Sequence, residues 1–293
     1  MEYVELWAEL SADLVAAFTR YRGRLANLAV QEKPDRTLLT EADLAIQDLI
    51  TEKIRSYSPN ARFIAEEAGA EVWRPGGPDT AGEIWVIDPI DGTAEFLRPE
   101  SIEYCSVVCV LEGRDPVAAL IVAPELGRDR TPVVVLADRR ADALLVNGLP
   151  GVRSTSRPPT RHASMTRSSG AAPRPFEQIM VEAGYSLKTR TTSQTLDMLR
   201  TAVDLQDIAT NPLRFDVFFR PMQKVWDGLA GLCLGKIVGL ATTDLAGNSR
   251  LPVSLDTLAQ PEPTFSSTVM GRPEAVEWFL QAAGSRTATP KSS

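Results

Sequence analysis

A single histidine, His162, stands in the 293 residues, and it lies among Arg, Ser and Pro where an exposed loop is expected. That scarcity removes whole mechanisms. A zinc protease of the His-Glu-x-x-His type needs two histidines, and a Ser-His-Asp or Cys-His machine would rest on this one residue. Cysteine is nearly as rare, at three, an odd number that suits no disulfide framework. Cys105 and Cys109 on one strand would stand roughly 13 Å apart, beyond disulfide reach. A reducing compartment is expected. No Lys/Arg run forms a patch that could track a nucleic-acid groove, and the net charge of −7 with a pI near 5.0 argues against polymeric nucleic acid as a partner. The most apolar stretch, 225–241, is broken by Asp227 and Lys236, so no membrane span is expected. The first residues lack the basic start and apolar core of a signal peptide, which points to the cytoplasm.

What is present is acid at the ends of apolar runs. Hydrophobic residues make up 44% of the chain, enough for a full core in one large or two small domains. Within it, Trp85-Val86-Ile87-Asp88-Pro89-Ile90-Asp91-Gly92-Thr93 reads as a strand that delivers two carboxylates to its own tip. Pro89 disfavours the helical region for Asp88, so the chain stays extended until that acid is placed, and Pro89 and Gly92 then turn it. Two carboxylates hold Mg²⁺ or Ca²⁺ poorly, and further ligands are needed. Glu66-Glu67 follows the short strand-like Phe63-Ile64-Ala65, and Trp226-Asp227 opens an apolar helix candidate. An acid-rich, histidine-poor set of this kind suits oxygen ligation of a hard cation.

Apolar spacing predicts helices over 3–31 and 41–56, with Thr40 as the N-cap of the second and Asp43 in its first turn. Short β-like runs at 105–111, 117–122, 133–136 and 143–146 predict an antiparallel meander. Residues 150–175, rich in Arg, Ser, Pro and Thr, read as a linker or exposed crossing between two halves, 1–150 and 151–283. Beyond it, helices over 175–183 and 192–203, a strand over 215–219, the Asp227 helix, an apolar run at 237–241, a strand near 266–270 and a helix over 273–283 alternate as α/β units do. Residues 284–293 read as a disordered tail.

Two familiar loops fail on inspection. Asp88-x-x-Asp91-Gly92 is half an EF-hand, but the twelfth position is Pro99 where a bidentate Glu is required. Gly231-Leu-Cys-Leu-Gly235-Lys236-Ile237 is one residue short of a phosphate loop and carries Ile where Ser or Thr must bind the metal, so it reads as helix packing with Lys236 near the exit.

Taken together, Phe63-Ile64-Ala65-Glu66-Glu67, then Asp88-Pro-Ile-Asp91-Gly92-Thr93-Ala-Glu-Phe96, then Trp226-Asp227-Gly-Leu-Ala-Gly231, resemble the inositol monophosphatase superfamily in order and spacing, over nearly the whole chain. The resemblance implies a layered αβαβα sandwich, an α/β fold with an antiparallel N-terminal sheet and a mixed C-terminal sheet. It implies that Glu66, Asp88 and the Ile90 carbonyl hold one Mg²⁺ and that Asp88, Asp91 and Asp227 hold a second, with Glu66 helping to seat a third. It makes Thr93 the residue that orients the water and Asp43 the acid that hydrogen-bonds it, with the Gly92 and Thr93 amides cradling phosphate. Lys33 and Asp35 fall where the family has a charged loop covering the site. The expected chemistry is hydrolysis of a small phosphate monoester by metal-activated water, without a covalent phosphoenzyme, in a homodimer. Clustered cations would neutralise the ester, acidify water and stabilise the departing alkoxide.

Departures from the family bear on the substrate. The strand before Trp226 ends Asp216-Val-Phe-Phe-Arg220 where the inositol-specific branch ends in a Glu that binds ring hydroxyls. Thr166-Arg167-Ser168-Ser169 is similar to an element of the branch acting on adenosine bisphosphates, and an extra Arg suits a second anionic group. Against that branch, Thr195-Leu196-Asp197 replaces its Ser-Leu-Lys element, while Ala141 to Leu144 and Leu229 also depart from the usual pattern. Candidate substrates are therefore an inositol or sugar phosphate, a nucleoside phosphate or bisphosphate, and histidinol phosphate. A metal-binding protein without catalysis is the reading from another class.

Overall fold

A computed structural model of the chain describes residues 3–34, 37–67, 82–167 and 170–284. Helix α1 (Val4–Arg22) buries Trp7, Leu10, Leu14, Phe18 and Tyr21 along one face. It stops well before residue 31, because Gly23 ends it and the chain turns into a hairpin of the exposed β1 (Val30–Glu32) and the more buried β2 (Leu38–Thr40). Helix α2 (Glu41–Tyr57) begins at Thr40, whose side chain accepts from the amides of Ala42 and Asp43 while the Asp43 carboxylate accepts from the Thr40 amide. This reciprocal cap satisfies amides that the first turn would otherwise leave bare.

Strands β3 (Arg62–Ala65) and β4 (Glu83–Asp91) pair in parallel, and the short helix α3 (Thr93–Phe96) follows β4 directly. The expected meander then runs antiparallel through β5 (Cys105–Glu112), β6 (Asp115–Ala123), β7 (Val133–Asp138), β8 (Ala143–Val146) and β9 (Leu149–Pro150), completing a seven-stranded sheet in sequence order.

The linker expected at 150–175 is a correction. After β10 (Val152–Arg153), that segment forms β11 (His162–Arg167), with Ala163, Ser164, Met165 and Thr166 all buried, and His162 is half-buried at its start. Small and polar residues without alternation concealed the strand; it is flanked on both sides by parallel neighbours and covered on both faces, where a period of two is not needed. Next come α4 (Pro175–Glu182), β12 (Ser186–Arg190), α5 (Gln194–Ala202), β13 (Val203–Asp204), β14 (Val217–Lys224), α6 (Val225–Val238), β15 (Ala241–Thr243), α7 (Leu255–Leu258), β16 (Thr264–Gly271) and α8 (Pro273–Gly284). Strands β12, β11, β14, β16 and β15 form a mixed five-stranded sheet in that order. Asp35, Ser168, Ser169 and the tail from 285 lie outside the described residues.

Alternation along the strands sorts the core into layers. Phe63, Trp85, Ile87, Val108 and Leu120 pack against α1 and α2. From the opposite face of the same sheet, Ile64, Ile84, Val86, Val107 and Ile121 meet α5 and α6, which in turn meet Phe218, Phe265 and Met270. The far face of the second sheet, with Met165, Val217, Phe219 and Val269, meets Phe176, Met180 and Phe279 of α4 and α8. The result is the αβαβα sandwich. Helix α6 lies between two sheets and buries every residue except Lys236, which explains its nearly continuous apolar sequence. Gly231 lets it approach α5, since a Cβ there would stand 2.6 Å from the Met198 side chain. No helix among the described residues is long and apolar enough to cross a membrane.

Candidate metal centre and catalytic cleft

A regular strand would send Asp88 and Asp91, three residues apart, to opposite faces of the sheet. The register prevents this. Asp88 pairs with Val107 of β5 and Asp91 with Cys105, so three steps on β4 match two on its partner, and the one extra residue is a bulge that turns both carboxylates to the same side. Asp227, in the first turn of α6, joins them: one carboxylate oxygen from each of Asp88, Asp91 and Asp227 lies within 4.8 Å of the others. Glu66 arrives by register as well. Ala65 pairs with Ile87 in the parallel ladder and the Glu66 amide donates to the Ile87 carbonyl at 3.1 Å, which sets Glu66 beside Asp88.

Electrostatics mark this cluster as incomplete on its own. Burial, followed by the charges of Glu66, Asp91 and Asp227, pushes the Asp88 carboxyl well above the usual range. Burial followed by Asp91 and Glu66 does the same to Asp227. Asp91 is raised by burial against hydrogen bonds from Thr195, Ser193 and Gln194. Glu66 is raised by burial against the attraction of Lys33, whose Nζ lies 2.9 Å from Glu66 and 2.6 Å from Glu67. Asp88 Oδ1 is buried with no hydrogen-bond partner. An orphaned carboxylate oxygen within an all-oxygen acidic cluster fits a hard divalent cation such as Mg²⁺.

At the same cleft, Thr93 opens α3 directly after Gly92. Gly92 adopts φ +97°, and a Cβ there would come within 2.9 Å of the Glu103 carbonyl, so this turn requires glycine. The Thr93 hydroxyl shares its proton between Asp43 Oδ1 and the Ile90 carbonyl, each at 3.1 Å. Asp43 therefore performs both parts read from the sequence. Its Oδ2 caps α2 through the Thr40 amide at 2.7 Å and hydroxyl at 2.6 Å, while Oδ1 holds Thr93. Burial pushes its carboxyl up to about 6 despite those bonds.

Glu66, Asp88, Ile90, Asp91, Gly92, Thr93, Arg220 and Asp227 all line one cleft of about 920 Å³, and Asp43 stands behind Thr93. Arg220 Nη1 donates to Thr191 Oγ1 at 3.1 Å. Ser193 and Gln194 were not singled out in the sequence, and Thr195 was read there only as part of a departure from the family. At the start of α5, the Ser193 hydroxyl (2.8 Å) and the amides of Thr195 (2.6 Å) and Gln194 (3.3 Å) all donate to Asp91, and the Gln194 side chain donates to Asp227. Helix α5 thus offers its positive end to a buried carboxylate. The available signal was Ser193, a natural N-cap at the start of the helix expected over 192–203.

A family model described as the inositol monophosphatase family matches residues 5–277. The chain belongs to this family. Among its relatives, the 3'(2'),5'-bisphosphate nucleotidase of Emericella nidulans is 27% identical over 287 residues, covering 74% of this chain and 80% of that protein. The histidinol-phosphatase of Streptomyces coelicolor is 34% identical over 125 residues, 41% of this chain, and the match spans only 44% of that relative's length. Inositol monophosphatase folds are also the structural neighbours. The extragenic suppressor protein suhB of Bartonella henselae superposes with a TM-score of 0.75 at 17% identity, covering 98% of this chain and 100% of its own. An IMPase/NADP phosphatase complexed with NADP and Ca²⁺ gives 0.74 at 17% identity, with coverage of 97% and 96%. At such identities the likeness is one of fold.

Proposed function

We propose that this member of the inositol monophosphatase family is a Mg²⁺-dependent phosphomonoesterase that hydrolyses a small phosphorylated polyol, sugar or nucleoside. The observation that carries the reading is the convergence of Asp88, Asp91 and Asp227 at a cleft that also holds the Asp43–Thr93 pair. Glu66, Asp88 and the Ile90 carbonyl would hold one Mg²⁺ and Asp88, Asp91 and Asp227 another, with Glu66 available to a third. When bound, such cations supply neutralisation of the phosphoryl charge and acidification of a water.

The chain's own residues do the rest. Asp43 takes the Thr93 proton into a hydrogen bond, which leaves the threonine oxygen to accept from water and turn its lone pair toward phosphorus. The Gly92 and Thr93 amides hold phosphoryl oxygens as the P–O bond to the leaving alcohol breaks. Asp91 is kept in place by α5, so it need not reorganise during the reaction. Among the described residues no His or Cys lines the cleft, which supports direct attack by water. Three free, buried thiols support a cytoplasmic setting, and family membership supports a homodimer. The cleft takes its lining from both 1–150 and 151–283, which we read as two halves meeting there.

Phosphate release from a panel of polyol, sugar and nucleoside phosphates, with Mg²⁺ present or chelated, tests the proposal. Turnover with Mg²⁺ and none with chelator is expected. A folded protein that turns over no ester would favour a metal-binding role without catalysis.

A further inference from the structure

Guanidinium groups from the second sheet also reach the cleft. Arg167 ends β11, Arg220 lies on β14, and Arg174 immediately precedes α4; the first two line the cleft. One carboxylate serves two of the three. Glu177 accepts from both Arg167 and Arg174, and Arg174 is further held by the Met165 and Thr166 carbonyls and lies over the Phe219 ring at 5.0 Å. The three cations press on one another: burial, followed by Arg220 and Arg167, holds Arg174 below the usual range in spite of Glu177.

Arg220 is left without an acid of its own. Among the described residues its contacts are the hydroxyls of Thr191 at 3.1 Å and Thr166 at 3.5 Å, and its Nε is buried with no partner. The carboxylates whose charge reaches it are Asp227, Asp91 and Asp197. Asp91 and Asp227 are the proposed cation ligands, and Asp197 is already bonded to Lys188 and Ser164. A guanidinium is a planar fork of donors suited to phosphate oxygens, and a buried one with an idle N–H is costly unless an anion completes it. A cleft of about 920 Å³ also has room for far more than one phosphoryl group.

We propose that Arg220, with Arg167 and Thr191 beside it, binds a second phosphate of the substrate, so that the ester hydrolysed here is bisphosphorylated. The inference rests on the phosphomonoesterase reading and narrows it. A neutral polyol phosphate would leave Arg220 unsatisfied, and a cationic aminoalcohol phosphate would be repelled.

The test compares matched pairs: adenosine 3',5'-bisphosphate against adenosine 3'-monophosphate, and fructose 1,6-bisphosphate against fructose 1-phosphate, with saturating Mg²⁺. In at least one pair, kcat/KM should favour the bisphosphate about tenfold or more, mostly through KM. In Arg220→Gln that ratio should collapse toward one, and Arg220→Lys, which keeps a point charge without the fork, should recover part of it. A purely structural Arg220 would instead lower both members of a pair together and leave their ratio unchanged. Wild-type ratios at or below one in both pairs, or an unchanged ratio in Arg220→Gln, would overturn the proposal; if that variant does not fold, the wild type and Arg220→Lys decide. Calorimetric binding of the adenosine pair in Ca²⁺ separates the two claims. Absence of turnover with tenfold tighter binding of the bisphosphate would sink the hydrolase and support the subsite, whereas turnover with equal binding would do the reverse.

Discussion

The cleft has two walls of opposite charge, and they are built differently. Its acidic wall hangs on one bulged strand and one helix start: the β4 bulge aims Asp88 and Asp91, α6 presents Asp227, and register places Glu66. The basic wall collects Arg167, Arg190 and Arg220 from three different strands of the second sheet. On the acidic side the charges are crowded and raised in pKa by burial and mutual repulsion. On the basic side they are spread, and two are matched by Glu177 and Glu95. A fixed cluster of like charge is suited to a cation that every substrate shares, while a looser set of cations can differ from one substrate to the next.

Asp88→Asn tests the acidic wall most severely. It removes the central carboxylate without changing shape, and turnover with Mg²⁺ should fall by about 10³-fold or more, several kcal/mol of transition-state stabilisation. The thermal midpoint should hold or rise, because a desolvated charge repelled by Glu66, Asp91 and Asp227 has been removed. Near-normal turnover would break the idea that Asp88 is the shared ligand. Thr93→Ala should act next in size, lowering kcat about 10²-fold with KM little changed, since the hydroxyl positions water and does not hold the ester. Asp43 adds a pH signature. With its carboxyl at about 6, activity should fall as pH drops through that value, because a protonated Asp43 no longer draws the Thr93 proton. An acid limb that Thr93→Ala leaves in place would remove this link.

The contrast between the walls also governs what the sequence could reveal. Asp88, Asp91, Gly92 and Thr93 lie within six residues, and the proline and glycine among them announce the turn, so this wall was legible before any coordinates. Even there the reason for convergence was hidden. An i, i+3 spacing gives no hint of a bulge, because the extra residue is defined by the partner strand. The basic wall was read only as isolated arginines, Arg167 and Arg220. Its strand β11 was taken for a linker and β12 was missed, since Ser-Leu-Lys-Thr-Arg and His-Ala-Ser-Met-Thr-Arg carry little periodic signal and owe their order to neighbours far away in the chain. Arg174 and Arg190 were not singled out, and neither was Ser193 as a holder of Asp91: Arg190 and Ser193 act on partners 95 and 102 residues away, and Arg174 acts on the end of a strand that the sequence did not announce.

The smallest predicted effect lies where the two walls are tied together. Glu103, just before β5, accepts from both terminal nitrogens of Arg200 on α5, at 2.6 and 2.7 Å, and Lys188 of β12 lies 3.8 Å away. Arg200 is 1% exposed, so its charge depends on this partner. Burial acts to raise the Glu103 carboxyl, but Arg200 and then Lys188 outweigh it and hold the group below its ordinary value of 4.5. A depressed carboxylate adds stability that is complete above the unfolded-state value and disappears as pH falls through the folded one. Glu103→Gln retains an oxygen acceptor but removes the charge, so it should cost about 2 kcal/mol in unfolding free energy at pH 7. That gap should begin to shrink as pH falls below the ordinary value of 4.5, where the unfolded chain takes up a proton, and should close as pH falls through the lower value of the folded state. Urea titrations of both proteins between pH 3 and pH 7 would measure it. A gap that stays constant over that range would mean that packing, and not the ion pair, joins the two sheets at this point.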